Sequence, residues 1–412
     1  MTGKKGYHLT FCTNIFRGED WSDVFSNLKN NIPSIRNKIC KDKPFGLGLW
    51  ISNKASVELA RPDVMMDFKS WLEDNNCYVF TLNGFPYGDF HQDIIKDQVY
   101  AHDWFSEERY KYTIRLCNIL KELLPEGMEG SISTLPISYK PWLQNHEDVD
   151  AQMRKACFFF SLLAEKLMQI KFQTGKLIYI TIEPEPDGLI ENSDEVIHFF
   201  NEWLIPFSRK HLSELLHISE VEAEAHIRNH IRVCYDICHF SIVFEKPSKV
   251  IDKFEKHKIK IGKIQISSAL KVVWPEKEND LCDCVLSLNS INDPKYLHQV
   301  YTRNKDKKLI KYSDLSELLQ NVPSDIKEAR IHYHVPLFCS SYGMMQSTSE
   351  DILEVIEILK YRHITDHLEV ETYTWEILPD DLKVSLCDSI SRELTWVLDN
   401  FQINYDSLWI KQ

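Results

Sequence analysis

Nowhere in the 412 residues is there a run of about 18 apolar positions, the length a bilayer-spanning helix needs, so no membrane insertion is expected. Paired cysteine motifs are missing too. The 11 cysteines are scattered from Cys12 to Cys387 without tandem CxxC pairs, which argues against a disulfide framework or a zinc ribbon. Cys282-x-Cys284 is the one close pair, and two neighbouring thiols are more often incidental than a metal site. The opening residues, MTGKKGYHLTFCTNIF, pass from two lysines into an alternating strand pattern and lack the apolar centre of a signal peptide. A reduced, soluble, cytoplasmic protein is the expectation. Positive charge is in deficit, 48 Lys+Arg against 61 Asp+Glu for a net −13, so phosphate backbones and anionic lipid are repelled. The expected partner is a small-molecule metabolite and not nucleic acid.

Low-complexity tracts, repeats and Pro/Gly linkers are also absent. At about 150 residues per domain the length would suggest two or three domains, but a β/α barrel with insertions uses such a length as one. A single domain over 1–412 is therefore expected. Its 43% apolar and 26% charged residues suit a globular chain with a sizeable core.

Short β-type runs alternate with amphipathic helical stretches from end to end. Strand candidates are 8–14, 45–52, 77–83, 131–137, 177–183, 232–238, 261–267 and 367–373. Between them, stretches such as 103–124 and 151–170 repeat apolar residues every three or four positions, the mark of a one-sided helix. Eight strands each followed by a helix predict a (β/α)₈ TIM barrel. One segment exceeds that count: ARIHYHVPLF (329–338) also alternates like a strand, after β-like pieces LHQVYTR and LIKY. Placing 271–338 in an enlarged loop after strand seven, on the catalytic face, restores the arithmetic. The Glu- and His-rich stretch 209–230 reads as a smaller insertion with a solvated face.

In such a barrel, chemistry sits where strands end at their C-termini. Strand three ends in Asn83-Gly84-Phe85-Pro86-Tyr87-Gly88 with His91 beyond, strand five in Glu183-Pro184-Glu185-Pro186 and strand six in Asp236-Ile237-Cys238-His239. Strand seven carries Gln265, the inserted segment His332-Tyr333-His334, and strand eight Glu369-Val370-Glu371. Carboxylates converging on one mouth repel each other unless a cation joins them. Imidazole with carboxylate suits Zn²⁺, Mn²⁺ or Fe²⁺ better than Ca²⁺, and zinc or manganese, as one or two ions, is expected. Taken singly, each residue has a plainer reading: a lone His is usually a satisfied core or surface residue, and Glu369 or Glu371 one end of a salt bridge. Glu185 reads as an outer-layer or solvent residue. Asn83, Tyr87, His91, Thr134 and His298 are candidates for contacting substrate.

Glu at strand five, Asp at strand six, a polar residue at strand seven and Glu at strand eight resemble the xylose isomerase-like barrels, which include sugar isomerases, epimerases and endonuclease IV. The run Cys234-x-Asp236-x-Cys238-His239 and the His-x-His pair resemble endonuclease IV most. That resemblance implies one metal set of Glu183, Asp236, Gln265 and Glu371, and a second of His239, His332 and His334. Gln265 departs from the superfamily's histidine, and Asn83 and Thr134 stand near where endonuclease IV has further histidines, so a three-metal cluster is not implied. The phrases TLNGFPYGDFH, GSISTLPISY, IEPEP, CYDICH, KIQISSAL, HYHVPLF and LEVETYTW, spread over nearly the whole chain, are similar to the EboE-type metabolite-traffic proteins. That resemblance implies a secondary-metabolite pathway and leaves the reaction open. Three functions follow. One is a metal-dependent isomerase or epimerase of a sugar, cyclitol or related polyol, with Glu183 and Glu371 as the acid/base pair. The others are a two-metal phosphoesterase of small metabolites and a metabolite carrier without turnover.

Overall fold

The computed structural model describes residues 6–40, 42–88, 96–145, 148–292, 296–375, 378, 382–403, 405 and 408. Eight parallel strands form the central sheet: β1 (His8–Phe11), β2 (Phe45–Trp50), β3 (Cys77–Asn83), β4 (Glu129–Thr134), β5 (Leu177–Ile182), β6 (Ile231–Asp236), β7 (Ile261–Ile266) and β8 (His367–Val370). Each falls within or beside a segment expected from sequence. They are buried on both faces, as parallel strands wrapped by helices are, which is why they read as near-continuous apolar runs.

β1 pairs β8 with His8 opposite His367, and β2 pairs β3 with Phe45 opposite Cys77. The ring closes between β1 and β2 at a lone parallel bridge, Cys12 to Gly48. Threonine hydroxyls replace the missing ladder there: Gly48 N–H donates to Thr10 Oγ1 at 3.1 Å and Trp50 N–H to Thr13 Oγ1 at 2.9 Å. The eighth-strand carboxylate Glu369 fills the space beside Gly48. A Cβ on Gly48 would lie 1.7 Å from Glu369 Oε1.

The outer helices follow the expected period. Trp21–Ile39 turns Trp21, Val24, Leu28, Ile32 and Ile35 inward, and Asp20 caps it by accepting from Asp23 N–H at 3.1 Å. Val149–Thr174 starts on Asp148 and ends at Gly175, whose φ of +74° is the left-handed cap that glycine favours. The stretch 209–230 lies in helices Ile205–Leu216 and Glu220–His230. The second buries Ala223, Ile227 and His230, and keeps Glu220 and Glu222 in water.

The enlarged connection after β7 is more than a loop. It builds a six-stranded sheet in the order Leu309–Tyr312, Val300–Asn304, Ile326–Ile331, Leu270–Val273, Met345–Ser347, Ser341–Tyr342, every pairing antiparallel. The sheet has its own apolar cluster, including Val272, Trp274, Val300, Ala329 and Ile331. It extends to Ser347, past the expected limit at 338. The strand expected over 329–338 ends at Ile331, so His332 and His334 sit in the segment that leaves it. Cys282 and Cys284 lie on its helix Glu278–Ile291, one exposed and the other buried, which does not make a metal pair. No helix among the described residues is long and apolar enough to cross a membrane.

Candidate metal centre

The strand ends of β5, β6 and β8 bring Glu183, Asp236 and Glu371 together. One oxygen from each lies within 4.8 Å of the other two, and all three residues are buried. Two carboxylates 4.8 Å apart repel by about 3 kcal/mol at an effective dielectric of about 20, so three charges cannot coexist there without compensation.

Each carboxylate has one oxygen held by the protein or one left without a hydrogen-bond partner. Asp236 caps the helix Ile237–Ile242: its Oδ1 accepts from His239 N–H at 3.0 Å and from the Ser267 hydroxyl at 2.7 Å. Its Oδ2 has no partner, and neither has Glu183 Oε2. Glu371 Oε1 accepts from the amides of Asn14 at 2.8 Å and Asn83 at 3.3 Å. Asn83 is oriented for this because its own Oδ1 accepts from Phe85 N–H at 3.0 Å. Burial first, then the Glu371 and Asp236 charges, push the Glu183 carboxyl well above the usual carboxylate range. Burial, then Asp236 and Glu369, raise Glu371 to about 8.

Three imidazoles stand beside this set. His239 Nδ1 is 2.9 Å from Pro184 O, His334 Nδ1 is 3.0 Å from Glu371 O, and His332 Nδ1 is 2.7 Å from Gln299 Oε1. Gln299 is held with its oxygen toward His332 because its Nε2 donates to Pro186 O at 3.1 Å. Carbonyl oxygens only accept, so all three rings are protonated at Nδ1 and present a bare Nε2 lone pair. His239 Nε2 and His334 Nε2 face each other at 3.3 Å, and His332 Nε2 has no partner. Two facing lone pairs at that distance repel unless a cation shares them. A proton is a poor candidate, because burial holds all three rings below the ordinary histidine range, with neighbouring imidazoles adding to this for His239 and His332.

Glu185 joins this second set: its carboxylate meets His239 and His332 within 4.8 Å. Read from sequence as outer-layer or solvent, it is instead buried, with Oε1 unpartnered and its carboxyl raised to about 8 by burial. Cys238 approaches His332 and His334 within the same limit. His239 Nε2 lies 3.9 Å from Asp236 Oδ2, so the sets adjoin. The donors fit a divalent ion: oxygens and nitrogens with free lone pairs, already aimed by their other atoms.

A cavity of about 90 Å³ opens onto both sets, lined among others by Asn83, Phe85, Tyr100, Tyr296, Gln299 and Tyr373. Gln265 is buried in register between Asp236 and Glu369, with neither amide atom hydrogen-bonded within the chain. Asn83 lines the cavity, and Thr134, Tyr87 and His298 are not among its lining residues. Thr134 accepts the Trp104 indole N–H at 3.1 Å, Tyr87 packs edge-on against His102 and Tyr112, and His298 stacks on Tyr333 at 3.8 Å. His91 lies outside the described residues. The adjacent Gln299, missed in favour of His298, is the residue that reaches the site.

No protein-family model and no curated protein matches the chain. Solved structures do. A xylose isomerase-like TIM barrel protein from Mycobacterium smegmatis in complex with magnesium is 11% identical, covers 96% of each chain and has a TM-score of 0.50. The fold is that of the xylose isomerase-like barrels. An IOLI protein with a bound zinc atom (11% identity, 96% of this chain and 98% of that one, TM-score 0.45) and a D-tagatose 3-epimerase-like protein (10%, 96% and 98%, 0.45) are also similar.

Proposed function

We infer that this protein is a divalent metal-dependent isomerase or epimerase acting on a sugar, cyclitol or related polyol. The observation that carries this is the convergence of the buried Glu183, Asp236 and Glu371 beside one cavity, with Glu183 Oε2 and Asp236 Oδ2 left without protein partners. Glu183, Asp236 and Glu371, with Gln265 beside them, would hold the ion. Bound there, zinc or manganese supplies Lewis acidity toward a substrate carbonyl or hydroxyl. Asn14 and Asn83 hold Glu371 in place against the cavity wall. Glu183 and Glu371 line the cavity and serve as the proton-transferring pair, because burial raises both carboxyls toward the range in which a group can give and take a proton near neutrality. The EboE-type phrases support a role for this chemistry in traffic of a secondary-metabolite precursor, and the net charge of −13 supports a small-molecule partner over nucleic acid.

The three facing imidazoles favour one further reading, a two-metal phosphoesterase of small metabolites, with the second ion on His239, His332 and His334. The test is incubation in D₂O with unphosphorylated aldoses, ketoses and cyclitols, followed by NMR. Metal-dependent exchange of a carbon-bound hydrogen supports isomerase or epimerase chemistry. Absence of exchange, together with metal-dependent phosphate release from small esters, transfers the conclusion to the second reading.

A further inference from the structure

The imidazole set is assembled from two distant parts of the chain. His239 comes from the short helix after β6, and His332 and His334 from the end of the inserted strand Ile326–Ile331. Nothing in either element alone fixes the gap between them. Two buried side chains span it: Cys238, whose Sγ donates to Tyr333 O at 3.5 Å, and Arg330, which ties the inserted strand to the far side of the helix. Arg330, 5% exposed and two residues before His332, donates from Nη1 to Ser241 O at 2.7 Å, two residues past His239. The same nitrogen lies 3.3 Å from Asp351 Oδ2, while Nε donates to Glu328 Oε1 at 2.8 Å. The guanidinium plane covers the Phe244 ring at 4.4 Å.

Asp351 extends the bracket. It is fully buried in the first turn of the helix Ser349–Tyr361, and it accepts the Ser241 hydroxyl at 2.9 Å and Lys246 Nζ at 3.1 Å. Inserted strand, His239 helix and outer helix are thus tied at one point.

We propose that Arg330 is a positioning residue for the imidazole set, holding His332 and His239 at the spacing at which their Nε2 atoms share one cation. The fork geometry matters. A guanidinium reaches Ser241 O, Asp351 and Glu328 from fixed directions, whereas an ammonium at the same place is a point charge on a flexible stem. Groups that orient metal ligands from behind change affinity by roughly 10–100-fold when altered. Arg303 provides the internal control, since it pairs with the same Glu328 and covers the same Phe244 ring at 4.7 Å, but is not hydrogen-bonded to Ser241 or Asp351.

The proposal rests on the imidazole set being an ion site, and cobalt separates the two questions. Metal-free full-length protein is titrated with Co²⁺, and the absorption band that His332→Ala abolishes is assigned to the imidazole set. The expected result is that Arg330→Lys weakens that band's affinity by roughly 10–100-fold. Affinity at the carboxylate set and the thermal midpoint should stay near wild type, and Arg303→Met should leave both sites unchanged. If Arg330→Lys does not fold, the neutral pair Arg330→Gln with Asp351→Asn is used, with the same selective loss expected. Wild type without any such band contradicts the ion site itself. A wild-type band that Arg330→Lys leaves unchanged, or equal loss at both sites in every folded variant, overturns the positioning role alone.

Discussion

The barrel interior holds two clusters of buried charge, one layer apart, and they are finished differently. In the lower layer Lys263 Nζ lies 2.5 Å from Glu369 Oε2, both fully buried, so the chain supplies its own counter-ion. In the upper layer Glu183, Asp236 and Glu371 face each other, and among the described residues no Lys or Arg is ion-paired with any of them, although Lys96 lines the same cavity. Lys263 lowers the carboxyl range of Glu183 and Glu371 from below, but burial and mutual repulsion outweigh it. The same fold thus contains a charge pair met within the chain and a charge set for which the proposed ion is the counter-charge. The imidazoles repeat the contrast. His230 donates from Nδ1 to Ile178 O at 2.8 Å, whereas His239 and His334 turn lone pairs on each other.

The largest effect should come from breaking the lower pair. Lys263→Met leaves Glu369 buried without a counter-ion, an expected loss of about 3–5 kcal/mol by urea unfolding. Lys263→Met with Glu369→Gln should recover most of it. A double variant as unstable as the single one would mean that the pair is not self-contained.

His230 tests the imidazole side through pH. Burial lowers its pKa to about 4 from the ordinary 6.5. Between those values the unfolded chain takes up a proton that the folded chain refuses. Stability therefore falls as pH drops from about 6.5 toward about 4, and the full difference is about 3 kcal/mol. His230→Gln should flatten that part of the stability-pH curve relative to wild type. Parallel curves for the two proteins would show that burial does not hold this ring neutral.

A smaller effect is expected at the seam. Gly48→Ala places a methyl against Glu369 Oε1 and should cost about 1–3 kcal/mol in thermal or urea unfolding. In a Glu369→Ala background, itself destabilised by the unpaired Lys263, adding Gly48→Ala should cost much less than it does in wild type. A cost that persists would point to the nearby Phe11 carbonyl, 3.0 Å from the same Cβ position, as the real obstacle.

What sequence could and could not reveal follows from the same physics. The eight strands are legible because strands buried on both faces are apolar throughout, and Glu183, Asp236 and Glu371 because a carboxylate at such a strand's end has few other uses. The inserted sheet is legible only in pieces: LHQVYTR, LIKY and 329–338 read as β-like and overlap three of its strands. Their assembly into one sheet is not legible, because the strands are short, with mixed burial, and Val300–Asn304 pairs with a strand more than 20 residues on. Glu185 is hidden by its flanking prolines, which read as a turn facing solvent. Arg330 looks like an ordinary cation in an alternating strand, and its reach to Ser241 exists only once the sheet docks. His298 and Gln299 show the cost of ranking by residue type, for the imidazole packs on Tyr333 and the amide orients His332.

The upper layer's need for a cation is tested most directly by metal content. Wild-type protein and Asp236→Ala are exchanged into Zn²⁺ or Mn²⁺, dialysed and assayed by elemental analysis, alongside thermal unfolding of the metal-free forms. Wild type should retain one or two ions per chain. Asp236→Ala, lacking the oxygen that adjoins both sets, should lose most of that content while unfolding near the wild-type temperature, because the barrel core lies below the site. A wild type that retains no ion and is indifferent to chelator, with a variant that behaves identically, would contradict the account and leave a polar cup that needs no metal.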